Sequence, residues 1–91
     1  NIMTKIYIYC LFDRQDTFHG VYSSLKAVHR DALKIANRGS SEVVMHAPFN
    51  NEINKATLTC LRNVFKGKCD VQVYYKCGAH VAKILKMKLK E

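Results

Sequence analysis

Hydrophobic and polar positions along residues 5–12 alternate with a period of two, which is typical of a β-strand. One side carries Ile6, Ile8, Cys10 and Phe12, and the other carries Tyr7, Tyr9 and Leu11. Because both sides are apolar or aromatic, we expect a central strand. The polar residues 13–17 predict a hairpin loop, and residues 18–23 predict a second, antiparallel strand.

Apolar residues then recur at helical spacing, which predicts a first helix beginning at Leu25. The buried positions of this helix are expected to be Leu25, Val28, Ala32, Ile35 and Ala36. Ser23 or Ser24 can accept hydrogen bonds from its first amides. Gly39 is expected to end it in a left-handed conformation.

The middle of the chain predicts a strand, a second helix and another strand. Residues 42–46 form the strand, which Pro48 ends because proline cannot donate to a ladder. Asn50 or Asn51 is expected to cap the helix and Gly67 to end it. The buried stripe of this helix would comprise Ile53, Ala56, Cys60, Leu61 and Val64. Alternation over residues 69–77 predicts a fourth strand.

The last segment alternates apolar residues with lysines: Leu85, Met87 and Leu89 against Lys86, Lys88 and Lys90. A period of two favours a strand with its lysines in water, and a lysine-rich helix is the competing interpretation. The predicted order is β-β-α-β-α-β-β. We therefore expect one α+β domain over residues 3–91, with a mainly antiparallel sheet of about five strands and two helices on one face.

Size and cysteine content indicate a small cytoplasmic protein. Asn1 and Ile2 precede Met3 and are interpreted as a cloning scar, and no segment resembles a signal peptide or membrane helix. The four cysteines, at positions 10, 60, 69 and 77, are expected to be thiols. Zinc bound through Cys77 and His80 is the alternative, but only one close ligand pair is present. We expect no metal and no cofactor.

The charge indicates an acidic partner. Fifteen lysines and arginines against seven acidic residues give a net charge of +8, which favours polyanions or acidic protein surfaces. If Ile6, Ile8 and Cys10 face the helices, the aromatic rings beside them lie on an open sheet face where bases can stack. The predicted nucleic-acid-binding residues are Tyr7, Tyr9, Tyr74, Lys76, Lys83, Lys86, Lys88 and Lys90.

Two other interpretations of these residues stay open. The tyrosines could be half-buried strand residues or line a homodimer interface. The lysines could protect an exposed strand edge from aggregation.

The histidines raise the question of catalysis. Acid–base cleavage of RNA needs two histidines, or one with a carboxylate, at a common cleft. His19, close to Asp16 in sequence, is the best single candidate among His19, His29, His46 and His80. A surface or capping role is the more usual one, and no nucleophile or phosphate-loop motif occurs. We therefore expect no enzymatic activity, with a small ribonuclease as the alternative.

The strand-to-helix segment Gly20-Val21-Tyr22-Ser23-Ser24 resembles a "GVYSS" or "GVFSS" pattern in small accessory proteins of T4-like bacteriophages. The similarity covers about the first third of the chain and is greatest to toxin-inhibitory factors, which counter a bacterial type III toxin–antitoxin system. It implies RNA binding and interference with a host ribonuclease complex or another defence protein, in the cytoplasm of an infected bacterium. The motif assigns no functional residue to this chain.

The resulting hypothesis is a basic RNA-binding protein, with RNA preferred to DNA, that inhibits a bacterial defence system by sequestration. Unpaired bases suit an aromatic sheet face better than a duplex groove does. The alternative is a protein-binding inhibitor that docks its positive face on an acidic host enzyme.

Overall fold

The computed structural model describes residues 6–37 and 42–90, which form one antiparallel sheet and two helices. The elements in chain order are β1 (Tyr7–Asp13), β2 (Phe18–Tyr22), α1 (Leu25–Ala36), β3 (Val44–Ala47), β4 (Glu52–Lys55), α2 (Leu58–Phe65), β5 (Val71–Cys77) and β6 (His80–Lys88). The strand order in the sheet is β2-β1-β6-β5-β3-β4, with every neighbouring pair antiparallel. The predicted α+β class is confirmed, with six strands rather than about five. Within the described ranges, no helix is both long enough and apolar enough to cross a membrane.

Helix α1 begins where its sequence predicts. The Ser24 hydroxyl accepts a hydrogen bond from the amide of Ala27 at 3.2 Å, which satisfies one of the free amides of the first turn. The buried residues of α1 are Val28, Ala32 and Ala36, three of the predicted stripe. The predicted end at Gly39 lies outside the described residues.

The predicted start of the second helix is wrong, because residues 52–55 form strand β4. Asn50 and Asn51 build a turn instead of a helix cap. The side-chain oxygen of Asn50 accepts from the amide of Glu52 at 3.1 Å, and Asn51 adopts a positive φ of 56°, a conformation that asparagine tolerates. Helix α2 is capped by Thr57, whose hydroxyl accepts from the Cys60 amide at 3.1 Å.

The C-terminal strand is confirmed and is longer than the alternation from Leu85 predicts. Strand β6 lies in the middle of the sheet, between β1 and β5, and pairs with both over seven residues. A central strand has neighbours on both edges, so its lysines do not protect a sheet edge. Leu89 extends the pairing by one hydrogen bond, from its amide to the carbonyl of Ile6 at 2.8 Å.

The two faces of the sheet have different roles. The helix face is covered by α1 and α2. Its core includes four residues with 0% of their surface exposed: Leu11, Val73, Tyr75 and Ile84. On the opposite side, here called the open face, lie Phe18 and Val21 of β2, Ile8, Cys10 and Phe12 of β1, Val81, Lys83, Leu85 and Met87 of β6, Gln72, Tyr74 and Lys76 of β5, Val44 and His46 of β3, and Ile53 and Lys55 of β4.

The predicted orientation of β1 is therefore reversed. Ile8 and Cys10 point to the open face, whereas Tyr9 and the fully buried Leu11 pack toward the helices. Both sides of β1 are apolar or aromatic, so the alternation established the strand but did not distinguish its two sides.

A polar contact joins α1 to the sheet inside this core. The Nδ1 atom of His29 lies 2.6 Å from the hydroxyl of Tyr75, and the Tyr75 side chain is completely buried. Burial lowers the pKa of His29 below its usual value, because a protonated imidazole is disfavoured away from water. Burial, followed by the nearby Cys60, raises the pKa of Tyr75 well above the usual range of tyrosine.

The lowered pKa of His29 predicts a pH-dependent stability. The unfolded chain takes up this proton at a pH near 6.5, before the folded protein does. The His29 contribution to the free energy of unfolding is therefore complete above about pH 6.5 and is lost as the pH falls toward the lower folded-state pKa. Urea denaturation of the wild type and His29→Gln between pH 5 and 8 should show that the wild type loses stability relative to the variant below about pH 6.5. Parallel curves would contradict the prediction.

Candidate nucleic-acid interface

Tyr74 lies at the centre of a polar cluster on the open face. In the sheet register it is opposite Lys83 of β6 on one side and His46 of β3 on the other. The amino nitrogen of Lys76 is 5.4 Å from the centre of the Tyr74 ring, and the His46 ring stands edge-on at 6.2 Å. The Tyr74 hydroxyl donates to the side-chain oxygen of Gln72 at 3.2 Å. We call Gln72, Tyr74, Lys76, His46 and Lys83 the Tyr74 cluster.

The alternation of β5 explains the position of this cluster. Val73 and Tyr75 are fully buried on the helix face, so the intervening Tyr74 must point to the other side. An aromatic ring with cations beside it combines a surface for base stacking with charge for phosphates.

Lys83 is held at one end of the cluster by the β1–β2 turn. Its amino nitrogen lies 2.7 Å from a carboxylate oxygen of Asp16 and 3.5 Å from the carbonyl of Arg14. The Asp16 side chain is 73% exposed and that of Lys83 is 20% exposed, so water solvates the carboxylate side of the pair and weakens the interaction.

The rest of the open face is mainly apolar. Phe18 and Val21 on the edge strand β2 are 55% and 56% exposed, and Ile53 on the opposite edge is 67% exposed. The rings of Phe12 and Phe18 are in contact, with their centres 5.6 Å apart. None of Phe12, Phe18, His46 and Lys55 was predicted as a site residue. Phe12 was assigned to the helix side of β1, and Lys55 was assigned to a helix.

Tyr7 and Tyr9 do not join Tyr74. The Tyr9 ring packs against Phe65 of α2, with centres 5.9 Å apart. Burial and the adjacent Tyr7 raise the pKa of Tyr9. The ring of Tyr7 lies beneath the amino group of Lys86, 4.4 Å from the ring centre. The expectation that these two tyrosines face outward on the open side is wrong.

The three C-terminal lysines are also separated from the cluster. Lys86 is 7% exposed, and its amino group donates to the carbonyl of Phe65 at 2.7 Å. It thereby adds a charged donor to a carbonyl at the end of α2 that also accepts from the Lys68 amide at 3.0 Å, and burial lowers the pKa of Lys86. Lys88 is paired opposite Tyr7 in the register of the sheet, and Lys90 follows β6. Both are exposed, but neither belongs to the open-face positions.

Of the predicted binding residues, the open face therefore brings together Tyr74, Lys76 and Lys83. Of the other five, Tyr9 and Lys86 contact α2, Tyr7 contacts Lys86, and Lys88 and Lys90 lie at or beyond the end of β6. Lys86 is an anchor of α2 because of the sheet register: Leu85 and Met87 pair with Cys10 and Ile8 on the open face. The intervening lysine must then point inward.

A second feature is a cleft at one end of the sheet, with a volume of about 330 Å³. Asp13, Arg14 and Gln15 line one side, His19 and His80 approach from β2 and β6, and Ile35, Ala79 and Val81 complete the walls. His19 is an extra residue in β2, since Phe18 and Gly20 oppose the consecutive residues Phe12 and Leu11. Such a bulge redirects a side chain out of the regular alternation.

The four histidines and the cysteines separate into different environments. His19 and His80 share the cleft, His46 belongs to the Tyr74 cluster, and His29 contacts Tyr75. Cys10, Cys60 and Cys69 carry free thiols. Across residues 6–37 and 42–90, no three histidine, cysteine or acidic side chains are grouped as metal ligands.

Comparisons with family models, curated proteins and solved structures gave no match to this chain. The similarity to phage accessory proteins stays a prediction based on the Gly20–Ser24 motif. In the structure, this motif forms the end of β2 and the cap of α1, so it is explained by local folding.

The buried position of Lys86 predicts a loss of stability when its side chain is removed. Lys86→Ala removes a charged donor from the Phe65 carbonyl, which keeps the Lys68 amide as a donor at 3.0 Å, and should lower the free energy of unfolding by about 1–3 kcal/mol. Lys88→Ala is the matched control, two residues along the same strand and exposed, and should change it by less than about 0.5 kcal/mol. Chemical denaturation measures both variants. Equal stabilities would show that the Lys86 hydrogen bond does not anchor α2.

Proposed function

We propose that the protein binds single-stranded RNA on its open face and acts by sequestering it. The observation that carries the proposal is the Tyr74 cluster: an aromatic ring at the centre of an uncovered sheet, with Lys76, Lys83 and His46 around it. Bases would stack on the ring while the lysines contact the phosphates.

The energetics support binding by a few well-placed residues. Stacking of one base on an aromatic side chain contributes about 1–3 kcal/mol. Tyr74 provides one such ring, and the exposed Phe18 provides another on β2, where it contacts Phe12. The net charge of +8 adds long-range attraction for any polyanion. Binding should accordingly be tight at low salt and weaken as the salt concentration rises.

The shape of the surface favours unpaired strands. The proposed contact residues lie on strands of one sheet, and none projects from a helix that could enter the major groove of DNA. Unpaired bases can spread over such a sheet, whereas duplex RNA shows its grooves and backbone instead. We therefore propose RNA ahead of DNA as the partner.

The biological role rests on the resemblance to phage toxin-inhibitory proteins. Under that proposal, the chain removes the RNA component of a bacterial toxin–antitoxin or other defence ribonuclease system from action. Sequestration needs no catalytic group, so the RNA should remain intact after binding.

A second candidate function is docking on an acidic protein. The exposed apolar residues Phe18, Val21 and Ile53 favour it, because apolar side chains on an uncovered face are typical of protein interfaces. The positive charge would then accelerate association with an acidic partner. A homodimer through the same face would also cover these side chains.

A mobility-shift titration tests the proposal against this second candidate. Single-stranded RNA, duplex RNA and duplex DNA are titrated at two salt concentrations. Salt-sensitive binding that is tightest for single-stranded RNA supports the proposal. Failure to bind any of the three nucleic acids at low salt would reject the proposal and favour the open face as a protein-docking surface.

Substitutions in the Tyr74 cluster should weaken RNA binding. Tyr74→Ala removes the stacking surface and should cost about 1–3 kcal/mol of binding free energy. Lys76→Gln should weaken binding and reduce its dependence on salt by about one phosphate contact. Lys26→Gln on α1 removes an equal charge from an exposed position away from the open face and is the control. Equal losses in Lys26→Gln and Lys76→Gln would indicate attraction by net charge alone.

A further inference from the structure

The cleft at the end of the sheet is built around Asp13. One carboxylate oxygen of Asp13 accepts from the amides of Gln15 and Thr17 at 2.9 and 3.0 Å, so the turn that carries Arg14 and Gln15 is tied to the carboxylate. The other oxygen lies 3.0 Å from Nε2 of His19. These bonds hold the His19 ring in place and leave its other nitrogen available. The hydrogen bond from His19, helped by the two amides, lowers the pKa of Asp13.

The remaining polar groups of the cleft are hydrogen-bond donors. Arg14 brings a permanent positive charge and a planar set of donors suited to phosphate oxygens. Gln15 adds an amide, and His80 adds a second imidazole from the start of β6. Among the lining residues, Asp13 is the sole acidic group, and its charge is already met by His19 and two amides.

The other wall of the cleft is apolar, formed by Ile35 of α1, Ala79 and Val81. A volume of about 330 Å³ is at the lower end of the range for small-molecule sites. A charged end with an apolar wall beside it fits a phosphate joined to a sugar.

The cleft adjoins the open face. Val81, which lines the cleft, is directly opposite Lys76 in the pairing of β5 with β6. Lys83 is two residues further along β6, and its amino group reaches the carbonyl of Arg14 at 3.5 Å. An RNA strand lying on the Tyr74 cluster can thus extend directly into the cleft.

We propose that this cleft is a nucleotide-binding subsite in which Arg14 and His80 donate to a phosphate beside His19 and the apolar wall holds the attached sugar. The assignment of RNA as the source of that phosphate rests on the proposed function. The chemistry of the cleft applies equally to a free mononucleotide, which makes the subsite testable by itself.

Proton NMR of the histidine rings tests the subsite with small probes. Adenosine 5′-monophosphate and adenosine 3′-monophosphate are titrated, with adenosine and inorganic phosphate as reference probes. We expect His19 and His80 signals to shift with at least one nucleotide. His29, buried against Tyr75, is the internal control. Shifts with adenosine alone, or none with either nucleotide, would overturn the proposal.

Variants assign the binding to the cleft. Arg14→Gln and His80→Gln should each weaken nucleotide binding several-fold, whereas Lys90→Gln should leave it unchanged. Equal effects of all three substitutions would indicate that the nucleotide is bound by general charge attraction, which would overturn the proposal. Tyr74→Ala should keep mononucleotide binding while it loses RNA affinity. Mononucleotide binding without any RNA binding would therefore reject the open-face function and retain the cleft.

The same RNA samples test whether the cleft only binds. A labelled RNA incubated with the wild type should stay full-length. RNA fragments that appear with the wild type and disappear with His19→Gln would overturn the binding role, since a paired histidine and carboxylate would then act as acid–base groups.

Discussion

The pairing of β6 with both β1 and β5 is the constraint on which the rest of the structure depends. Ile84 is opposite Leu11 on one side and Val73 on the other, and these three side chains form a continuous row under the helices. Side chains in a strand alternate between two faces, so a shift of one residue would invert the whole strand. It would place Lys83 in the core and expose Ile84. The burial of this single row thus decides which charges are available to a ligand.

The same constraint explains what could be predicted from the sequence. Elements with one clear apolar side could be predicted from the sequence. For α1, the predicted first residue, Leu25, is the observed one, and Ser24 caps the helix. Strand β1 was recognised, but its two apolar sides gave no basis for deciding whether Tyr9 or Cys10 faces the helices. Strand β4 was mistaken for a helical turn because Ile53 and Ala56 are spaced by three residues, and only the pairing of Ile53 with His46 reveals the strand.

The candidate site was predictable in part for the same reason. Tyr74 and Lys76 alternate with the strongly apolar Val73, so their side of the sheet followed from β5 alone. Lys86 has the same local pattern as Lys88, and nothing in the alternation reveals that its amino group anchors the end of α2. His19 and His80 share the cleft because three separate elements come together there and because β2 contains a bulge. Neither the pairing of these elements nor the bulge can be predicted from the local sequence. Long-range pairing, rather than composition, determines which chemistry is brought together.

The bulge at His19 couples the two surfaces of the protein. One extra residue in β2 places Phe18 opposite Phe12 on the open face and lets His19 reach Asp13 at the cleft. Loss or gain of a single residue in this strand would displace the aromatic pair and the histidine in one step. The length of this strand is therefore a constraint that the open face and the cleft share.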